Sequence, residues 1–131
     1  MTRPIIYLSS PHTHPDQRVV DTRFEQARSA TIAMMERGLV VYSPIVYTHP
    51  LWRASQASSI AESSGTLALR NWKHSDWLAF DMLMMERCDM CHVLMLEGWE
   101  KSKGIEIETN YFITANKPVI YLTLEEALYG N

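Results

Sequence analysis

The order of apolar runs and helical patterns is the feature that most constrains how this chain folds. Helical periodicity follows each strongly apolar run and predicts helices over residues 16–37, 76–88, 103–115 and 123–130, the last with Thr123 as N-cap. Strands without polar alternation are buried on both faces, so the pattern predicts a doubly wound α/β domain with a parallel sheet of four to five strands and helices on both faces. The strand candidates are "PIIYLSS" (4–10), "LVVYSP" (39–44), "HVLML" (92–96) and "KPVIYL" (117–122).

One segment does not fit this alternation. Residues 49–70 are rich in Ser and Ala and have only weak periodicity. We interpret them as an excursion from the α/β pattern, helical at most, and assign them no role. In a doubly wound sheet, ligands bind beyond the carboxyl ends of the strands, which directs attention to the loops after Leu8, Tyr42 and Leu96.

Size and charge exclude several classes of protein. The chain has 131 residues, 47% apolar and 21% charged, which suits one domain over residues 1–131 with a real core. Its net charge of -3 and its scattered Lys and Arg residues argue against binding a nucleic-acid polymer. Since no run of about 18 apolar residues occurs, we expect no membrane contact and a soluble, cytoplasmic protein.

A short cysteine motif has two readings. "CDMCH" at residues 88–92 literally matches the pattern of covalent haem attachment. However, Cys88 closes a predicted helix and Cys91 opens a predicted strand, and the other histidines lack ligand spacing with them. Small buried thiols are therefore the better interpretation, and the sequence predicts no metal and no cofactor.

Two glutamates in "GWEKSKGIEIE" (98–108) have opposite surroundings if the segment is helical. At about 100° per residue, Glu108 falls among Phe112, Ala115 and Tyr111, whereas Glu106 shares the polar face. We expect Glu108 to point inward from the first turn of its helix, where desolvation raises its pKa and the helix N-terminus lowers it. A buried cap or a buried ion pair is the alternative.

A second acid lies on an apolar helix face. Asp81 is flanked by Met84, Met85 and Cys88 in "DWLAFDMLMMERC". Because Asp81 and Glu108 lie on helices that flank the same predicted strand, we expect both to serve one cleft. Paired carboxylates around a sugar are the usual means of cleaving an anomeric bond, since one attacks the carbon and the other manages the proton of the leaving group.

These residues resemble a known family. "YLSSP" after the first strand, the acid in the third helix, the next apolar strand, "GWEKSKGIEIE" and "KPVIYL" are similar in order and spacing to the nucleoside 2-deoxyribosyltransferase-like superfamily, within a small bacterial and phage branch with a G-W-x-x-S-x-G-x-x-x-E signature. The resemblance covers most of the chain except residues 48–72. It implies a flavodoxin-like fold and chemistry on a nucleoside or nucleotide.

The resemblance also implies roles for individual residues. Glu108 matches the nucleophile, Asp81 the acid that manages the proton of the leaving base, and Tyr7 the tyrosine that hydrogen-bonds the nucleophile. Tyr7 is alternatively an ordinary strand aromatic. The residues implied in substrate binding are Ser9, Ser10, His49, Ser102 and Gly104.

Ser102 bears on the choice of substrate. Transferases of the superfamily that act on unphosphorylated nucleosides often have an acid at this position, whereas relatives that hydrolyse nucleoside monophosphates have Ser. The first loop, "SSPHTHPD", departs from the Gly-rich loop of those hydrolases. His12, His14 and Arg18 could add positive charge there, or they are simply solvated loop residues.

The sequence thus predicts an N-glycosidase that cleaves a nucleoside or 2'-deoxynucleoside 5'-monophosphate into free base and sugar phosphate. Base exchange by a deoxyribosyltransferase and a non-catalytic nucleotide sensor are the alternatives. Because a chain this short leaves an open crevice at its strand ends, and because Trp52, Trp72 and Trp77 accompany eight methionines, we also expect a homodimer or a dimer of dimers that closes the site.

Overall fold

The computed structural model describes residues 3–57 and 68–130. Within these ranges, four strands alternate with five α-helices, and short 3₁₀ turns at Leu69–Asn71 and Trp99–Lys101 precede α3 and α4. The elements in chain order are β1 (Ile5–Ser9), α1 (Gln17–Glu36), β2 (Val40–Tyr42), α2 (Pro44–Ala57), α3 (His74–Arg87), β3 (Met90–Leu94), α4 (Lys103–Thr114), β4 (Val119–Leu122) and α5 (Leu124–Tyr129).

The strands form one parallel sheet in the order β2-β1-β3-β4. Tyr7 of β1 is in register with Tyr42 on one side and with Cys91 on the other. Crossing from one strand to a parallel neighbour requires a connection over a sheet face, which α1, α3 and α4 provide. The predicted doubly wound, flavodoxin-like α/β fold is therefore confirmed.

Alternation along β1 divides the core between the two faces of the sheet. Ile6 and Leu8 pack with α1 and α5, in a cluster that includes Ala30, Met34 and Ala127. Tyr7 points to the opposite face and packs with residues of α3 and α4. Since side chains two apart share a face, Ser9 lies on the same side as Tyr7, and both are fully buried.

Two sequence predictions of local structure were wrong. The third strand was predicted at residues 92–96 but runs over Met90–Leu94, because Leu96 is buried in the following loop rather than in the sheet. The start of helix α2 was missed: the residues from His49 onward were interpreted as helical at most, but the helix begins at Pro44. Ser43 Oγ accepts from the Val46 amide at 3.3 Å, and a serine before a proline at the first helical position is a helix start signal. Residues 58–67 of the predicted excursion lie outside the described residues.

The remaining expectations concern the helix ends and the cysteines. Thr123 caps α5 as predicted, accepting from the Glu126 amide. Cys88 and Cys91 are free, buried thiols, and burial raises their pKa values to about 11 and about 12.

Within residues 3–57 and 68–130, no three His, Cys, Asp or Glu side chains are grouped to hold a metal ion. None of the helices described combines the length and apolar character that crossing a bilayer requires.

Candidate active site

Two hydroxyl groups of β1 hold the carboxyl group of Glu108. Tyr7 Oη donates to Oε2 at 2.6 Å, and Ser9 Oγ donates to Oε1 at 2.5 Å. The two donors are two residues apart on a central strand, so they reach α4 from the same face of the sheet. The predicted hydrogen bond from Tyr7 is present. Ser9 also contacts Glu108, and its contact with substrate stays a prediction.

Glu108 is the sixth residue of α4 and therefore lies in its second turn, not in the first turn as the sequence predicted. The first turn contains Glu106, which is exposed and lies 3.7 Å from Lys103 Nζ. Because the helix dipole acts mainly on the first turn, it does not explain how a negative charge at Glu108 is accommodated. The hydrogen bonds from Tyr7 and Ser9 do so.

The pKa of Glu108 reflects opposing effects. Burial is the largest and, with a smaller contribution from the charge of Asp81, raises the pKa to about 7 against the hydrogen bonds from Ser9 and Tyr7, which lower it. The pKa of Tyr7 is raised far above its usual value by burial and then by the charge of Glu108. Tyr7 therefore stays protonated and serves as a permanent donor to the carboxylate.

Asp81 lies in the middle of α3, a helix that packs on the same face of the sheet as α4. Burial raises its pKa to about 6, and its Oδ1 is buried without a hydrogen-bond partner among the described residues. Its charge raises the pKa values of both Glu108 and Tyr7. The two acids thus interact electrostatically without sharing a hydrogen bond, which leaves Asp81 able to exchange a proton with a bound molecule.

Ser102 and Gly104 lie where α4 begins. Ser102 is the N-cap, and its Oγ accepts from the Ile105 amide at 3.2 Å. Gly104 is exposed, and a Cβ built on it would meet only Ser102 Oγ, at 3.8 Å. Ser102 also lines a cleft of about 820 Å³ at the carboxyl edge of the sheet, together with Thr13, His14, Asp16, Arg18, Arg23, Glu97, Gly98, Lys101 and others.

Arg23 ties together the two loops that border this cleft. Its guanidinium donates to the carbonyl oxygens of Thr13 at 3.0 Å and Glu97 at 2.9 Å. Gly98 follows with a φ of 85°, and a Cβ there would lie 2.6 Å from Arg23 Nη2. Sequence reasoning did not identify Arg23. The only signal was Gly98, the first residue of the quoted signature, whose left-handed backbone favours glycine.

His49, which the resemblance implies in substrate binding, lies within α2. It is buried, and its Nδ1 lies 2.9 Å from His12 Nε2 while its ring stacks on Phe24 with centroids 4.5 Å apart. Burial is the largest cause of a lowered pKa in both histidines, to about 4 for His12. The pair is therefore neutral near pH 7 and supplies no positive charge for a phosphate.

Ser10 is the remaining residue predicted to bind substrate. It is buried beside the fully buried Ser9, at the point where β1 gives way to the loop. Its Oγ has no hydrogen-bond partner among the described residues. A buried hydroxyl at a strand end that lacks a protein partner is available to a ligand, so substrate binding by Ser10 stays a prediction.

Comparison with known proteins adds to this geometry. Residues 4–124 match the model of a family described as "Domain of unknown function (DUF1937)". The chain belongs to this family. The DUF1937 match spans every strand, and it includes Tyr7, Asp81 and Glu108. A comparison with curated protein sequences finds no match.

The fold of this DUF1937 protein is similar to that of a solved 2-deoxyribosyltransferase from the psychrotolerant bacterium Bacillus psychrosaccharolyticus. The TM-score is 0.53 at 18% sequence identity, and the alignment covers 91% of this chain and 72% of the other. This likeness agrees with the fold that the resemblance in the sequence implied. The roles of the individual residues stay predictions.

Proposed function

We propose that this protein cleaves the N-glycosidic bond of a nucleoside 5'-monophosphate, with Glu108 as nucleophile and Asp81 as the acid at the leaving base. The observation that carries the proposal is the double hydrogen bond from Tyr7 and Ser9 to the Glu108 carboxyl group, with Asp81 close enough to affect its pKa. A carboxyl group held by two neutral donors has a fixed plane. It can therefore attack from one direction without first reorganising.

The reaction needs two steps. In the first, a Glu108 oxygen forms a bond to C1', the bond from C1' to the base nitrogen breaks, and its electron pair leaves with the base, which takes the proton of Asp81. In the second, a water oxygen bonds to C1' as the ester bond breaks, and the water proton goes to Asp81. Each carboxylate oxygen has two lone-pair sites, so the bonds from Tyr7 and Ser9 leave room for the attack.

The cleft near Ser102 supports a phosphorylated substrate. Arg18 and Lys101 line it, together with the hydroxyl of Ser102 at the N-terminus of α4. Cations and a helix N-terminus favour an anion, whereas a carboxylate at position 102 would repel one. Asp16 also lines the cleft, but it is paired with Arg18 at 3.0 Å, and its pKa is lowered mainly by that partner.

A second candidate is base exchange by a deoxyribosyltransferase. The observation that favours it is the fold likeness to a protein reported as a 2-deoxyribosyltransferase and as a biocatalyst for nucleoside synthesis. The same first step serves both reactions, and only the acceptor of the second step differs. In transfer, the nitrogen of a second base takes the place of water.

The experiment is a panel of ribo- and deoxyribonucleosides with their 5'-monophosphates, incubated with the protein and separated by chromatography. Free base with sugar phosphate is expected from one or more monophosphates, and a lower rate from the matching nucleoside. A second base added to the mixture distinguishes the reactions, since only a transferase forms the exchanged nucleotide. Binding without any free base would contradict both enzymes and favour a nucleotide sensor.

The site is expected to be completed by a second copy of the chain. Helix α2 exposes Tyr47 by 52%, Leu51 by 42% and Trp52 by 43%, an apolar surface that includes the start of the excursion. An oxocarbenium-like transition state requires that bulk water be kept out. Packing of this surface against a partner in a homodimer, or in a dimer of dimers, would bury it next to Phe80, which stacks on Tyr47 and directly precedes Asp81.

A further inference from the structure

A second tyrosine lies beside Tyr7. Tyr42 is the last residue of β2, and the parallel register places it directly opposite Tyr7, with ring centroids 5.9 Å apart. Paired residues of neighbouring parallel strands project to the same face of the sheet, so both phenols point toward α3 and α4. Tyr42 ends at the carboxyl edge of the sheet, where the candidate active site lies.

The two hydroxyl groups differ in what they contact. Tyr7 Oη donates to Glu108, but Tyr42 Oη is buried and has no hydrogen-bond partner among the described residues. Buried polar groups are nearly always paired, and an unpaired one calls for an explanation. Asp81 Oδ1 is unpaired in the same sense. A hydroxyl donor and a carboxyl group that both lack protein partners are expected where a polar ligand binds.

The two tyrosines are affected most strongly by different acids. After burial, the charge of Glu108 is the main cause that raises the pKa of Tyr7. For Tyr42 the main cause after burial is Asp81, and Glu108 contributes less than Tyr47 or Cys88. Tyr42 therefore belongs to the side of the site where Asp81 acts, and not to the side of the nucleophile.

The surroundings of Tyr42 suit a flat ring. The ring of Tyr47 lies 6.1 Å from that of Tyr42 and is parallel to Phe80 within 6° at 6.1 Å. Phe80 directly precedes Asp81, and Tyr47 is half exposed. Aromatic faces of this kind bind a nucleobase by stacking, and they accept any base because every base has a π-face.

We infer that Tyr42 is a specificity-determining residue that binds the leaving base, donating a hydrogen bond from Oη to a carbonyl oxygen or ring nitrogen next to the atom that Asp81 protonates. The inference rests on the proposed function, and it adds a base-reading residue that neither the sequence nor the comparisons assigned. A site that hydrogen-bonds its substrate rejects analogues without the matching group, because its own polar atom is then left unpaired.

The test compares wild type, Tyr42→Phe and Tyr129→Phe. The control removes the same hydroxyl from an exposed tyrosine of α5. The panel of nucleosides and 5'-monophosphates gives kcat/KM for each base, and calorimetry gives the affinity for the free bases and for ribose 5-phosphate. Thermal unfolding of all three proteins shows whether the hydroxyl has a structural role.

The expected result is a loss of about 10-fold to 100-fold in kcat/KM for the favoured base in Tyr42→Phe, weaker binding of that free base, and unchanged affinity for ribose 5-phosphate. For the bases that wild type disfavours, kcat/KM should change little, so the ratio of kcat/KM between favoured and disfavoured bases should become smaller. The melting temperature should stay equal or rise, because the change removes an unpaired buried hydroxyl. Tyr129→Phe should match wild type throughout.

Three outcomes would overturn the inference while leaving the proposed function intact. These are unchanged base discrimination, an equal loss of ribose 5-phosphate affinity, and a clear fall in melting temperature, which would assign the hydroxyl to the fold. Failure of wild type to bind or cleave any member of the panel is a different result, since it overturns the proposed function and this inference with it.

Discussion

Tyr7 and Glu108 are 101 residues apart in the chain, yet Tyr7 Oη lies 2.6 Å from Glu108 Oε2. The contact joins a central strand to the helix that follows the neighbouring strand, so it forms only when the sheet has its native order. Glu108, the proposed nucleophile, is therefore oriented by a buried central strand rather than by a loop. Rigid elements hold a reacting group more precisely than loops do, which suits the proposed attack on C1'.

The first prediction separates the two glutamates of α4. Glu108→Gln should reduce release of free base by several orders of magnitude, because an amide cannot form the covalent intermediate, while Gln still accepts from Tyr7 or Ser9. Glu106→Gln is the matched control, since the Glu106 side chain is exposed and forms an ion pair at 3.7 Å with Lys103, which is exposed too. Equal activity of the two variants would contradict the assignment.

The second prediction concerns Ser9 and pH. Attack requires Glu108 ionised while Asp81 keeps its proton, so kcat/KM should be greatest between their pKa values of about 6 and about 7 and fall on both sides. Ser9→Ala removes a hydrogen bond that lowers the pKa of Glu108, so a smaller share of the protein has ionised Glu108 beside protonated Asp81. The maximum of kcat/KM should therefore fall, and the decline on its alkaline side should begin about one pH unit higher. Ser9→Thr should restore the profile in part. A pH profile that keeps its height and position would show that Ser9 does not act on Glu108, and Ser29→Ala at an exposed position of α1 is the control.

The third prediction tests Asp81 as the proton donor. Its pKa of about 6 means that activity should fall on the alkaline side as Asp81 loses its proton. Asp81→Asn should lower the rate by about 100-fold to 10,000-fold with ordinary bases. A 7-methylated purine nucleotide already has a cationic base, so its cleavage needs no proton and should lose much less. A loss of equal size with both substrates would exclude a role for Asp81 in protonation.

The fourth prediction addresses Gly98. Gly98→Ala places a Cβ at a φ of 85° and 2.6 Å from Arg23 Nη2, so the arginine must leave the carbonyls of Thr13 and Glu97. We expect a loss of about 2 kcal/mol in the free energy of unfolding, from backbone strain and broken hydrogen bonds. Gly104→Ala is the stability control and should be neutral or stabilising, because residue 104 lies in α4 and its Cβ would meet Ser102 Oγ at an ordinary contact distance of 3.8 Å. Denaturant titration of both variants decides, and equal stability would contradict the argument.

The sequence predicted the parts of this structure that periodicity encodes. The apolar runs and helical patterns gave the doubly wound sheet, and the helical wheel turned Glu108 inward and Glu106 outward, as the structure has them. The start of helix α2 was missed because Ser43 and Pro44, which begin it, were interpreted as the end of a strand. The residues from His49 onward were interpreted as helical at most, because they are rich in Ser and Ala and have weak periodicity.

The contacts that complete the site could not be predicted from the sequence. The resemblance implied that Ser9 binds substrate, and only the packing of α4 on the face of β1 that carries Ser9 shows that its hydroxyl donates to Glu108. Arg23 and the His12 and His49 pair depend on how loops cross the edge of the sheet. Such long-range contacts have no periodic signal, since nothing nearby in the chain requires them.

The last prediction concerns assembly. If the apolar surface of α2 packs against a second copy, wild type should be a dimer or tetramer by light scattering after size exclusion at micromolar concentration, and Trp52→Glu should shift it toward monomer, because a charge buried in an apolar interface is costly. Turnover should fall with the loss of the oligomer and recover at higher protein concentration. Ile113→Glu is the matched control, an equally drastic change at a side chain of α4 that is 62% exposed. A wild-type monomer with full turnover would show that the site excludes water within one chain, and the closing element would then have to be sought in the chain itself.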